Sequence, residues 1–139
     1  MRESARAKEE PVQAPSDEDR REVERSHFES EEDCEQALDL IDVMMERAGL
    51  EFDEHEQHPE EALEAVEGWL GLMSYAVART YAPASPMRFP GWSRRVIGRL
   101  RAMVQRFQGA LQRIAALLGV KGYSIGVSFP WGVQLSLNW

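Results

Sequence analysis

Two histidines among carboxylates offer the most obvious chemistry in this chain. His55 and His58 stand three apart in FDEHEQHPEE, residues 52–61, beside Asp53, Glu54, Glu56, Glu60 and Glu61. Imidazole nitrogens and carboxylate oxygens together form a donor set for zinc or a similar ion. A closed zinc site needs four convergent ligands, and no second His or Cys pair supplies the rest. The expectation is no metal and no cofactor, with His55 and His58 as the candidate ligands should an ion bind. Cys34 lies among Glu31, Glu32, Asp33 and Glu35. Nearby negative charge raises a thiol's pKa and makes it a poor nucleophile. As the single cysteine, it also excludes an internal disulfide and fits a reducing compartment. There is no Ser/His/Asp arrangement and no Gly-rich phosphate loop. The expectation is a protein that is not an enzyme.

The stronger signal is charge. All 24 Asp and Glu lie in residues 1–67, beside seven Lys or Arg. Residues 68–139 carry Arg79, Arg88, Arg94, Arg95, Arg99, Arg101, Arg106, Arg113 and Lys121, with nothing negative. A net charge of −8 thus hides an acidic half and a basic half. Such asymmetry speaks of partners and association rather than fold. Either the basic half sits on the acidic half, or it faces an anion outside the chain.

The elements that position these charges can be read in order. Residues 1–15 have little apolar content and two prolines, which predicts a disordered tail. Ser16 can cap a short acidic helix over 17–28, with Asp19 three positions on. Ser30 caps a clearer helix with Leu38, Ile41, Met45 and Ala48 on one side, stopped by Gly49. Pro59 opens the next, striped by Leu63, Val66, Leu70, Met73 and Val77 and running to about Tyr81. Acidic, Ala-Leu, acidic recurs in EQALDLID and EEALEAVE, as in any two amphipathic helices with acidic first turns. Residues 82–92 contain three prolines and form an extended connector.

Ser93 then caps an expected single helix over Arg94–Leu118. Ile97, Leu100, Val104, Phe107, Leu111, Ile114 and Leu118 alternate steps of three and four without a break. Arg99, Arg106 and Arg113 run along one edge of this seam, and Arg94 and Arg101 along the other. On the far side lie Gly98, Ala102, Gln105, Gly109, Gln112 and Ala116, where a solvated face would normally hold Lys and Glu. In the last 18 residues the period switches to two. Pro130-Trp131-Gly132 suits a hairpin loop, pairing Phe129 with Val133, Val127 with Leu135, Ile125 with Leu137 and Tyr123 with Trp139.

These elements predict a mainly α fold: a bundle of three long amphipathic helices, with a short N-terminal helix and a C-terminal antiparallel β-hairpin. Its segments are a tail (1–15), an acidic helical part (16–81), the connector (82–92), a basic helix (93–121) and the hairpin (122–139), with 16–139 as one domain. The N-terminus has no apolar signal stretch and no run reaches the ~20 residues of a spanning helix, so an intracellular protein, soluble or peripheral to a membrane, is expected. The expected role is interaction or assembly, with a protein partner or a second copy. Its surface would comprise Arg94, Arg95, Arg99, Arg101, Arg106 and Arg113 with Trp92, Phe129, Trp131 and Trp139. Two other anions could meet the same arginines. One is a membrane, with the Arg94–Leu118 helix lying apolar face down. The other is nucleic acid, although no nucleic-acid-binding motif is present.

Overall fold

A computed structural model describes residues 12–81, 93–128 and 132–139. The expected tail over 1–11, the connector 82–92 and the turn at 129–131 lie outside the described residues. The chain is mainly helical and ends in a two-stranded antiparallel hairpin. In order come α1 (Asp17–Glu24), α2 (Glu31–Ala48), α3 (Pro59–Tyr81), α4 (Arg94–Gln105), α5 (Gln108–Leu118), β1 (Gly122–Ser128) and β2 (Gly132–Asn138).

The helix starts follow the caps. Ser16 and Asp19 form a reciprocal capping box on α1, each side chain accepting from the other's backbone N–H. Ser30 Oγ accepts from Asp33 N, and Ser93 Oγ accepts from Val96 N. Each satisfies a donor that the helix itself leaves open. Helix α1 stops at Glu24 rather than Phe28. Phe28 instead packs edge-on against Tyr75, ring centres 5.9 Å apart, and the Arg79 guanidinium lies over both rings.

Helix α3 is central. Its expected stripe is only half of what it buries. Ala62, Ala65, Trp69, Leu72, Ala76 and Thr80 are also buried, a second seam spaced three or four apart. The helix is therefore covered on two sides, by α2 and α5 and by β2. The strap before α1 adds to this. Residues 12–15, expected as the end of a disordered tail, are packed. Val12 is fully buried, its N–H reaches Glu51 O at 2.9 Å, and Trp69 Nε1 donates to Gln13 O at 2.6 Å. Pro15 presses on Gly68, where a Cβ would lie 2.8 Å from the proline ring. Val12, Pro15 and the bonds of Val12 and Gln13 tie down a segment whose composition alone reads as tail.

The expected helix over 94–118 is two helices. At Arg106 and Phe107 the backbone closes tighter bonds, Arg106 N to Met103 O and Phe107 N to Val104 O, before α5 begins. Phe107 sits at φ −94, ψ 4 and is fully buried. No Pro or Gly marks this break, and the apolar steps run straight through it. Before it the buried positions are Val96, Leu100, Met103 and Val104; after it they are Ala110, Leu111, Ile114 and Ala115. Leu117, next to the seam residue Leu118, is exposed.

The hairpin keeps the expected faces but not the expected partners. Val127 pairs with Val133, Ile125 with Leu135 and Tyr123 with Leu137, a shift of two from the sequence reading. A shift of two leaves every side chain on its own face, whereas a shift of one would invert them. Gly132 sets the new register. It is the first residue of β2 rather than the end of the loop, at φ 92, with its α-carbon against Ser74 of α3.

Candidate interaction surface

Helices α2 and α4 meet through a ladder of ion pairs. Arg95 binds Glu35 at 3.1 Å, Arg99 binds Asp39, and Arg106 binds both Asp42 and Glu46. Three of these pairs are separated by the same 60 residues, so the two helices run in the same direction. Beyond the break, Arg113 donates to Phe52 O at 2.9 Å, lies over the Phe52 ring and approaches Glu54 at 3.9 Å. Thus Arg99, Arg106 and Arg113, seven apart in sequence, all meet groups of the acidic half.

Exposed pairs are worth about 0–1 kcal/mol each, so the rungs differ in weight. Arg95 is 78% exposed and holds one carboxylate; Arg106 is 32% exposed and holds two. Arg106→Gln is expected to lose about 1–2 kcal/mol in urea unfolding near 50 mM salt, and at least half of that loss should vanish near 500 mM. Arg95→Gln should cost under about 0.5 kcal/mol at either salt. Equal effects for the two variants would show that the ladder is not graded by burial.

Arg94 and Arg101 are different. Both are exposed, and among the described residues neither has a carboxylate within ion-pair distance. The small-residue stripe is also bare: Gly98, Ala102, Gln105, Gly109, Gln112 and Ala116 are all exposed. Nothing lies within 4 Å of a Cβ built at Gly98 or Gly109. The apolar seam that a membrane-bound helix would need is inside the molecule, since Leu100, Phe107, Leu111 and Ile114 are buried. Among the described residues no helix is long and apolar enough to cross a membrane.

The hairpin is held by α3 on one side. Ser74 Oγ accepts from Val133 N at 2.9 Å and donates weakly to Val133 O at 3.5 Å. Both backbone groups of Val133 therefore turn away from β1. Backbone groups alternate sides along a strand, so the opposed residues Tyr123, Ile125 and Val127 turn theirs to the outer edge of β1. No main-chain bond joins that edge to another described segment. Residues 122–139 contain no charge to guard it. On the apolar face Val133 is buried, while Tyr123, Ile125, Val127, Leu135 and Leu137 are only partly covered. Trp139 is 68% exposed. Trp92, Phe129 and Trp131 lie outside the described residues.

An open groove of about 640 Å³ runs between β1 and the α4–α5 break. Five consecutive strand residues, Tyr123 to Val127, line one wall; Arg101, Val104, Gln105 and Gln108 line the other. Sequence reasoning named Arg101 but missed the groove, because the groove depends on the helix break.

The polar chemistry of the acidic half is dispersed. His55 and His58 are exposed, and no group of three or more His, Cys, Asp or Glu among the described residues is placed to hold a metal ion. Cys34 is buried, and its thiol is pushed from 9.0 up to about 11. Burial is the main cause; Glu35 and Glu31 raise it further, and a hydrogen bond with Thr80 works against them. Below pH 9 the thiol is protonated in both folded and unfolded chains. Above it the unfolded chain loses its proton first, so stability drains away between pH 9 and about 11. Cys34→Ala should flatten that alkaline decline in urea titrations, and the native thiol should resist a disulfide reagent at pH 8 that modifies the unfolded chain at once. Rapid native labelling would overturn this.

Comparison with protein-family models, curated proteins and solved structures finds no match for this chain.

Proposed function

We propose that this protein is a non-enzymatic interaction module that associates with another chain through its C-terminal hairpin. In this reading the acidic and basic halves pair with each other to build a rigid scaffold, and the scaffold presents the hairpin. The observation that carries it is the outer edge of β1, uncharged and with no main-chain partner among the described residues. Two strands alone are marginal, and an open edge is a ready template for a further strand. The partly covered apolar face and the exposed Trp139 support the same assignment. The arginine ladder supports an internal role for four of the nine cations of the basic half, since Arg95, Arg99, Arg106 and Arg113 already meet acidic groups.

The test is association measured by light scattering over a concentration series. Wild type should gain mass with concentration. Ser124→Glu/Gly126→Glu charges β1; Gln134→Glu/Ser136→Glu charges β2. All four positions are exposed, and a Cβ at Gly126 meets nothing within 4 Å, so the helices should keep their circular dichroism. The β1 pair should return the protein to monomer. A wild type that stays monomeric at every concentration would refute self-association, and an oligomer indifferent to both pairs would remove the hairpin from the interface.

A further inference from the structure

The groove beside β1 carries a more specific assignment. Its strand wall is made of consecutive residues, Tyr123, Ser124, Ile125, Gly126 and Val127. Alternate residues of a strand belong to opposite faces. Ser124 and Gly126 line it together with the apolar-face residues Tyr123, Ile125 and Val127, so the groove reaches the strand's backbone as well as that face. β2 contributes nothing to it. The outward N–H and C=O groups of Tyr123, Ile125 and Val127 therefore open into the groove. Such an edge with a helix opposite it can receive one extended segment as an added strand. Five edge residues at about 3.3 Å each give room for roughly five residues of a guest.

The helix wall supplies the selectivity. Arg101, Gln105 and Gln108 follow one another at helical spacing, with the buried Val104 at the floor. Among the described residues Arg101 is the only charged group in the lining. The ladder that occupies Arg95, Arg99 and Arg106 passes it by, because it points to the other side of α4. No acidic side chain occurs after Glu67, so no side chain of either wall or of the hairpin can supply its partner. A second copy's β1 can fill the edge, as in self-association, but it brings no acidic side chain to Arg101, so an acidic guest should displace it. A guest strand bearing Asp or Glu would satisfy both.

We infer that the groove between β1 and α4 is a strand-addition site for an extended acidic segment of another protein, with the backbone on β1 and a carboxylate on Arg101. This rests on the hairpin being an interaction surface and adds the edge used and the guest's charge. An Arg–carboxylate contact is a charge-assisted hydrogen bond, often bidentate, and removing one side of it is felt strongly.

The test begins with a phage-displayed library of random linear peptides selected on the full chain. The selected sequences are synthesised with a fluorescent label and titrated by anisotropy. Expected are sequences with Asp or Glu in a run able to extend. Arg101→Gln should weaken binding about tenfold, and replacing the peptide's acid by its amide should do the same. The two changes together should cost little more than either alone. Gly126→Glu should abolish binding, and ¹⁵N spectra should shift at Tyr123 to Val127. No selected peptide, or peptides indifferent to Arg101→Gln, would overturn the inference. So would peptides that bind only after residues 1–11 are deleted, since the chain's own Glu3, Glu9 and Glu10 would then be the occupant. The light-scattering series separates this from the broader reading. Association lost in the β1 pair but unaffected by Arg101→Gln, with no peptide bound, would keep the hairpin interface and reject the acidic guest.

Discussion

Phe107→Ala is expected to cost about 3–5 kcal/mol, enough to unfold much of a small domain. The ring is fully buried, and it is one of the largest side chains in the core. It also stands where α4 gives way to α5. Its N–H bonds to Val104 O at 3.1 Å, and its carbonyl accepts from Leu111 N at 2.8 Å. Truncation would leave a cavity at the point that sets the angle between the two helices. Both helices touch β1, so the hairpin should loosen with them. Urea unfolding with a Leu117→Ala control measures this. Leu117 is on the same helix but 47% exposed, and its loss should change stability by less than about 0.5 kcal/mol. A Phe107→Ala cost below about 1 kcal/mol would mean that the break is not held by this side chain. The same burial affects any lipid test of this helix, since a charge at 107 would disrupt the core before it altered a membrane contact.

The sequence displays the helix starts because caps are local. Ser16, Ser30 and Ser93 each accept from one N–H three residues on, a contact set by local sequence. It displays the hairpin's faces for the same reason, since alternation is a property of neighbours. What it hides is set at a distance. The break at Arg106 and Phe107 has no Pro or Gly and leaves the three-and-four spacing intact. Between α4 and α5 stand the two tighter bonds at Arg106 and Phe107 and the fully buried Phe107 ring. The register of the hairpin depends on Ser74, 58 residues before Gly132, and the strap at Val12 depends on Glu51 and Trp69. The second seam of α3 was legible in principle. Ala62, Ala65, Trp69, Leu72 and Ala76 are spaced three or four apart, but alanines draw little attention beside a stripe of Leu and Val.

The candidate site divides in the same way. Charge segregation pointed to the arginines, and their spacing of seven put Arg99, Arg106 and Arg113 on one edge. It could not say which arginine would be left over. That follows from geometry: α2 offers Glu35, Asp39, Asp42 and Glu46 at helical spacing, and the parallel α4 matches them with Arg95, Arg99 and Arg106. Arg101 falls on the other side. The small-residue stripe, which lacks the Lys and Glu of an ordinary solvated face, has no neighbour among the described residues at Gly98 or Gly109. The close approaches are elsewhere, at Gly68 under Pro15 and Gly132 on Ser74.

Gly132→Val should detach the hairpin while leaving the helices folded. Two effects add at this position. The backbone lies at φ 92, where a β-branched residue is strained by about 1–3 kcal/mol. A Cβ there would also stand 2.5 Å from Ser74 Oγ, 2.7 Å from its Cβ and 3.3 Å from its Cα. A rotamer change could move the hydroxyl, but the helix backbone cannot step aside. The bond from Val133 N to Ser74 Oγ would be lost with the contact. Hydrogen exchange reads the result element by element. Amides of β1 and β2 should lose protection, while those of α2 and α3 keep most of theirs. Ser74→Gly in the same chain removes the collision but leaves the strain and deletes the Oγ bond to Val133, so it should restore only a small part of the protection. Gly132→Ala should fall between wild type and Val. Association measured by light scattering should follow hairpin protection through this series, since a detached hairpin no longer presents a fixed edge. Native exchange in Gly132→Val would show that the Ser74 contact does not hold the hairpin, and the β1 groove would then need another support.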